Sequence, residues 1–383
     1  MLLFEQLCNF YKGKNVLITG HTGFKGTWMC TVLGLMGANV VGYALSPKQS
    51  VEYSTDNMFE ICEMDRRVNS IIGDIRDIEH LLSVFKTENP EIVIHMAAQP
   101  IVRESYRKPV ETYEINVMGT VNVLECIRKT ESVKSFINVT TDKVYKNEER
   151  KQGYVENEYL DGYDPYSNSK SCSELVTSSY RNSFFINTKE LNCDIFEITP
   201  NIDGFRTCAL STCRAGNVIG GGDFAKERII PDCVRAVKNN EKIIVRNPNS
   251  IRPYQHVLEP VVLYLELAMY QCLKPSLSGA YNIGPEEKDC ITTGALVDMF
   301  IGEWNTRNKA NNVWKSTSKV GPHEAGILKL DCTKLKTELG WKPRWTLEEC
   351  MRILVEWYSE WAVGSNMYDV TRRQIENYFE GYK

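Results

Sequence analysis

The 383-residue chain has no run of about 18 apolar residues, so no segment is expected to cross a membrane as a helix. It holds 13 Cys, yet none sit at Cys-x-x-Cys spacing and no Cys/His set has zinc-finger spacing. An odd number of unframed cysteines is expected as reduced thiols filling the core of a cytoplasmic protein, with no metal site. Positive charge is not in excess. Forty-five Lys and Arg stand against 49 Asp and Glu, a net charge of −4, which argues against a general nucleic-acid surface. The opening stretch MLLFEQLCNFYKGK lacks a charged n-region, and its apolar run is too short for a signal peptide. Internal repeats and low-complexity tracts are also missing.

What is present is an ordinary globular composition, 43% hydrophobic and 25% charged, in a chain long enough for a large α/β domain with an attached lobe. Short apolar runs at 15–19, 40–45, 70–74, 91–98, 135–141 and 207–213 read as strands. Helical spacing falls between most of them, including 109–130 and 167–185. This alternation predicts an α/β fold with a doubly wound parallel Rossmann sheet. After Arg214 the pattern turns loop-rich, and 257–273 is an amphipathic helix that returns to the sheet. The expected division is a dinucleotide-binding domain, 1–213 plus about 254–283, and a second, smaller mixed α/β substrate-binding lobe, about 214–253 plus 284–383. Residues 186–206 read as a polar surface excursion.

GHTGFKG follows the first strand and opens a helix, placing Gly20, Gly23 and Gly26 as G-x-x-G-x-x-G. Gly20 is expected to make the tight turn, Gly23 to admit a pyrophosphate, and Gly26 to allow close helix–strand packing. The second strand ends GYALSPKQ, with neither the acid that selects NAD nor the Arg that selects NADP, so the loop alone leaves that choice open. Asp74 and Ile75, after the third strand, suit an adenine edge.

VTTDKVYKN closes the fifth strand with Thr141, Asp142 and Lys143, and YSNSK places Tyr166 and Lys170 one helical turn apart. An ammonium beside a phenol favours phenolate, so Lys170 is expected to lower the Tyr166 pKa toward neutrality. Beyond the sixth strand, Asn217, Arg228, Arg246, Arg252 and His256 lie on turn-rich segments. Guanidinium forks there suit a diphosphate. His95 reads as a buried structural residue, and His323 in PHE is as readily structural as functional.

These stretches, with HMAAQPIVRESY, NVMGTVNVLE, RAGNVIGGGDF, RNPNSIRPYQHVLEP and LGWKPRW, run in order along nearly the whole chain. They resemble the extended short-chain dehydrogenase/reductases of the NAD-dependent epimerase/dehydratase family, and within it the sugar-nucleotide 4,6-dehydratases. The Thr-Asp-Lys strand end is similar to the version that acts on CDP-glucose. The resemblance implies NAD as cofactor, held by Gly20, Thr22, Gly23, Phe24, Lys25, Gly26, Asp74, Ile75, Ala97, Ala98, Gln99, Tyr166 and Lys170. It implies CDP-glucose as substrate, gripped by Arg103, Asn217, Arg228, Arg246, Arg252 and His256. It further implies a homodimer or homotetramer joined through Rossmann-domain helices, and a product used in deoxysugar and lipopolysaccharide O-antigen synthesis.

The reaction so implied oxidises C4, eliminates water across C5–C6 and returns the hydride to C6. Tyr166 takes the O4 proton and Thr141 hydrogen-bonds O4. Asp142 is the candidate acid at O6, and Lys143 either removes the C5 proton or steadies the enolate. Another NDP-hexose remains an alternative substrate. A sugar-nucleotide epimerase would keep Tyr166 and Lys170 without needing Asp142 and Lys143. A silent binding protein of this fold would lose the tyrosine or the glycines, and the chain has all of them.

Overall fold

A computed structural model describes residues 3–50, 56–185, 207–317 and 325–380. The 186–206 excursion and His323 lie outside the described residues. Its strands in chain order are β1 (Asn15–Thr19), β2 (Asn39–Ala44), β3 (Asn69–Ile72), β4 (Ile92–His95), β5 (Ser135–Val139) and β6 (Ala209–Ala215). They continue with β7 (Asn217–Ile219), β8 (Ile243–Val245), β9 (Ile251–His256), β10 (Ala280–Ile283), β11 (Cys290–Thr292) and β12 (Trp314–Ser316). One parallel seven-stranded sheet has the order β10-β6-β5-β4-β1-β2-β3. The order reverses between β1 and β4, which opens a crevice at the strand C-termini, where such folds bind ligands. The sequence reading named six of these strands; β10, four residues long, lies after the turn-rich stretch where the strand–helix alternation had ended. β11-β9-β7 and β12-β8 form two small sheets in the second lobe.

The near-continuous apolar strands are explained by burial on both faces. Val16 and Ile18 pack into one layer with Trp28, Val32, Val261 and Leu265, while Leu17 points into the other with Tyr43, Phe85, Val123 and Phe136. The first layer continues through Trp357, Tyr378 and Phe379 of the C-terminal helices Leu347–Ala362 and Met367–Glu380. Those helices therefore share a core with helix Phe24–Leu35 of the sheet. Among the described residues no helix is long and apolar enough to cross a membrane, and no three His, Cys, Asp or Glu converge as metal ligands.

Two local features position the site. The expected helix at 109–130 opens into a π-turn at Glu114–Met118, a feature that recurs at functional sites. It sets Asn116 to clamp Gln99, accepting from its N–H at 2.9 Å and donating to its carbonyl at 3.1 Å, while also donating to Ser169 Oγ at 2.9 Å. Helix Pro165–Phe184 starts two residues earlier than the apolar spacing indicated. Asp164 caps it, accepting from Ser167 N and Oγ at 2.9 and 2.7 Å, with Pro165 at the first helical position.

Candidate active site

The glycine loop has the geometry its spacing predicts. Gly20 takes φ +79°, and a Cβ there would lie 2.7 Å from Ala97 N; a Cβ on Gly26 would lie 2.2 Å from Gly20 O. Gly23 is exposed, and a Cβ there would meet only Gly20 O, at 3.4 Å. Helix Phe24–Leu35 has no side-chain cap at Gly23. Its first N–H groups and positive dipole end are therefore left to an anion, as a dinucleotide pyrophosphate requires. Thr22 is turned away from them, donating from Oγ to Leu45 O at 2.9 Å. At the adenine end, Asp74 is engaged by Arg76 at 2.6 Å, which holds its carboxyl below the usual range. Ile75 is buried against Gly119. Arg76, which the sequence reading passed over, thus controls what Asp74 can offer. After β4, Ala97 N donates to Thr19 Oγ at 3.2 Å. Gln99 faces the helices instead of the crevice, donating to Thr112 Oγ at 2.9 Å and accepting from Ile101 N at 2.6 Å. It shapes the loop and does not present its side chain to a cofactor.

The chemical cluster lines a cavity of about 380 Å³. Thr141, Lys143, Tyr166 and Lys25 face it, and Asn217, Arg228, Arg246 and Arg252 continue the wall. Lys170 is buried and donates to Val139 O at 3.1 Å, and burial with the nearby Lys25 lowers its pKa to about 7. Lys25 falls to about 8, chiefly through burial and then through Arg228. Tyr166 departs from expectation. Burial raises its phenol to about 12, against the opposing pull of a Thr141 hydrogen bond and the Arg228 charge, and Lys170 is not among the groups that lower it. Spacing brought the pair together, but dehydration of the phenolate outweighs the cations in the protein alone.

Asp142 is wholly buried and is not part of the cavity wall. Its Oδ1 accepts from Lys143 Nζ at 2.8 Å and Thr141 Oγ at 3.0 Å, while Oδ2 is buried without a hydrogen-bond partner among the described residues. Lys143 is the member that reaches the cavity, and it also approaches Asn217 Oδ1 at 3.4 Å. Behind the cluster, Glu174 lies one turn beyond Lys170 on the same helix face. It accepts from Thr140 Oγ and Thr212 Oγ, both at 2.5 Å, and pairs with buried Arg214 at 2.9 Å. This network ties helix Pro165–Phe184 to the ends of β5 and β6. It was not legible because its members lie far apart in the chain.

Among the expected substrate residues, Arg228 pairs with Asp223 at 2.9 Å. Arg246 and Arg103 converge on Glu227, at 2.5 and 3.3 Å. Glu227 takes a left-handed φ of +67° in that position, a strained conformation for a side-chain-bearing residue. Arg252 lines the cavity but spends donors on the carbonyls of Ile251, Ala325 and Gly326. His256 is corrected. Its ring is fully buried edge-to-face against Trp28 and Trp345, Nδ1 accepts from Leu258 N at 3.2 Å, and burial holds it neutral with a pKa of about 3. The chain enters helix Leu258–Leu273 just beyond it, so the ring anchors that helix under the core and does not reach the cavity. His95 is buried as expected, between Thr19 Oγ at 2.7 Å and Thr120 Oγ at 3.2 Å.

A doubly wound sheet, an uncapped glycine-loop helix and a Tyr-x-x-x-Lys pair beside an Arg-walled cavity define a nucleotide-sugar short-chain dehydrogenase/reductase fold. The chain belongs to the family described as GDP-mannose 4,6 dehydratase, whose sequence profile matches residues 17–354. It is 45% identical to a CDP-glucose 4,6-dehydratase of Salmonella typhimurium, across 97% of each chain. It is 26% identical to the human dTDP-D-glucose 4,6-dehydratase, over 91% of this chain and 90% of that one. Two solved structures share the fold. A Thermotoga maritima UDP-glucose 4-epimerase with UDP-glucose has a TM-score of 0.72 at 23% identity, covering 90% of this chain and 99% of that one. A Bacillus anthracis dTDP-glucose 4,6-dehydratase in complex with NAD has a TM-score of 0.69 at 20% identity, covering 91% and 97%.

Proposed function

We propose that the protein is an NAD-dependent 4,6-dehydratase that converts CDP-glucose to CDP-4-dehydro-6-deoxyglucose and water. The observation that carries this reading is the placement of Thr141 and Lys143, backed by Asp142, against Tyr166 in a cavity whose wall continues into arginines. An epimerase has no use for the acid–ammonium pair. Likeness to the Salmonella enzyme over nearly the full length supports CDP-glucose in particular.

Gly20, Gly23, Gly26, Asp74, Ile75, Ala97, Ala98 and Lys170 would hold the dinucleotide, with Thr22, Phe24, Lys25 and Gln99 shaping the loops around it. Bound there, NAD⁺ would supply the acceptor for the C4 hydride and its return to C6, with a positive ring charge that favours phenolate. Tyr166 takes the O4 proton, and Thr141 donates to O4. The C5 proton, now α to a carbonyl, passes to the Lys143–Asp142 pair, which returns a proton to O6 as water leaves. C5 is reprotonated as the hydride returns to C6, and the O4 proton that Tyr166 took closes the count. Lys25, Lys143 and Arg228 surround the developing oxyanion with positive charge in a partly dry site, where such charge acts strongly. Arg228 and Arg246, with Asn217, would grip the diphosphate. The sheet domain and lobe would divide near residues 213 and 254–283. The product belongs in deoxysugar synthesis for surface polysaccharide, in the cytoplasm.

Purified protein incubated with CDP-glucose should yield a product lighter by one water, with no net reduction of added NAD⁺. A product of unchanged mass would instead favour an epimerase.

We also infer a homodimer, or a dimer of dimers, through the helices at 109–128 and 165–184. Val110, Met118 and Leu175 are 70%, 52% and 56% exposed there, an apolar surface that a copy would cover. Sedimentation should give a dimer or larger, shifted toward monomer in Leu175→Asp. A monomeric wild type would end this reading.

A further inference from the structure

We propose that Asp232 selects the nucleobase: its carboxylate accepts the exocyclic amino proton of cytosine and so separates CDP-glucose from its UDP and dTDP analogues. The inference rests on the substrate reading above.

The cavity has a direction. Arg228 acts on Tyr166 and Lys25 and so adjoins the chemical cluster, while Arg246 acts on Asp232. Between Arg228 and Arg246 in the chain, the wall takes apolar side chains, Ile229, Ile230 and Pro231 from helix Ile229–Lys238 and Ile244 and Val245 from β8. A hexose placed at Tyr166 and a diphosphate at the arginines leave the base to this part. Among the described residues β8 pairs only with β12, and the apolar side chains suit a flat ring. Asp232 is set in this otherwise apolar stretch.

Five carboxylates line the cavity: Glu149, Asp164, Asp223, Glu227 and Asp232. Asp164 uses both oxygens to cap a helix. Asp223 uses both on Ala225 N and Arg228. Glu227 is charge-paired with both Arg103 and Arg246, which share its Oε2. Glu149 accepts from Gly326 N through Oε1. Asp232 is held through Oδ1 alone by Arg235, whose own fork is fixed on the carbonyls of Phe224 and Ala225. Its Oδ2 takes no hydrogen bond from the described residues. The carboxylate is thus oriented and retains an acceptor. Burial works against its charge, and Arg235 and Arg246 oppose that effect.

The chemistry then discriminates. Cytosine carries an amino donor at C4, where uracil and thymine carry a carbonyl oxygen. A carboxylate accepts from the first and repels the second, leaving two desolvated acceptors face to face.

The test compares kcat/KM for CDP-glucose and UDP-glucose on the same preparations of NAD-loaded wild type, Asp232→Asn and Asp232→Ala. Both substrates see the same folded fraction, so any loss of folding cancels in the ratio. The wild type should prefer CDP-glucose, and the CDP:UDP ratio should fall roughly 10- to 100-fold in both variants. In Asp232→Asn part of the fall should be gained UDP-glucose turnover, because an amide can turn its N–H₂ toward a carbonyl. A wild type that prefers CDP-glucose, with the ratio unchanged in both variants, overturns the role of Asp232 alone. A wild type that prefers UDP-glucose overturns the cytidine reading and this proposal together.

Discussion

Tyr166→Phe should lower turnover of CDP-glucose by roughly 10²–10⁴-fold, the range for loss of a general base, while nucleotide-sugar affinity stays near wild type. The substitution removes one oxygen. The ring keeps its place on helix Pro165–Phe184, capped by Asp164 and tied to the sheet through Glu174, so the diphosphate grip is untouched. The lost hydroxyl is the group hydrogen-bonded to Thr141 and facing the Arg228 charge. Burial raises that phenol to about 12 in the protein alone. Its use as a base therefore depends on positive charge arriving with the cofactor, added to Lys25 and Arg228. Single-turnover kinetics beside equilibrium dialysis of the sugar nucleotide separates the two effects. Near wild-type turnover would remove Tyr166 from the mechanism.

Asp142→Asn should separate oxidation from dehydration. Tyr166 and Thr141 suffice to make the C4 ketone, and neither is altered. Asparagine keeps the shape of the buried side chain and still accepts from Lys143 through Oδ1. It cannot supply a proton, and it leaves the Lys143 ammonium without its counter-charge. The structure sharpens the role: Asp142 stands behind the cavity wall and Lys143 in front of it, so the acid acts as a pair, with Lys143 nearest the sugar. The variant should still form the 4-keto sugar and reduced cofactor. Water release should be slowed by roughly 10²–10⁴-fold, the range for general acid catalysis. Mass analysis of enzyme-bound sugar, with spectroscopy of the cofactor, reads both. Elimination at the wild-type rate would pass the acid role to another group, Lys143 first.

Features whose parts adjoin in the chain were legible before folding. The turn at Gly20, the opening at Gly23 and the close approach at Gly26 belong to one loop, and Tyr166 and Lys170 are one helical turn apart. Their relative geometry follows from backbone conformation alone, so spacing determines it. The parallel sheet was legible for the same reason: a strand buried on both faces must read as a continuous apolar run.

Which way a side chain finally points, and which group claims its hydrogen bonds, was decided by packing between segments distant in the chain. Residue type alone made His256, Arg252 and Gln99 plausible ligands. In the fold His256 lies between two tryptophans, Arg252 serves the carbonyls at 325–326, and Gln99 is clamped by the π-turn at Asn116. The same holds for charge. Spacing put Lys170 near Tyr166, but the phenol's pKa follows the water excluded around it, and burial is a property of the assembled core. The sequence by itself therefore determined the glycine loop, the sheet and the closeness of Tyr166 to Lys170, because local backbone geometry sets these. Only the tertiary structure decided that Asp142 lies behind Lys143, that Glu227 meets both Arg103 and Arg246, and that Asp232 lines the cavity with one oxygen unclaimed by the described residues, because each depends on competition among groups that folding alone brings together.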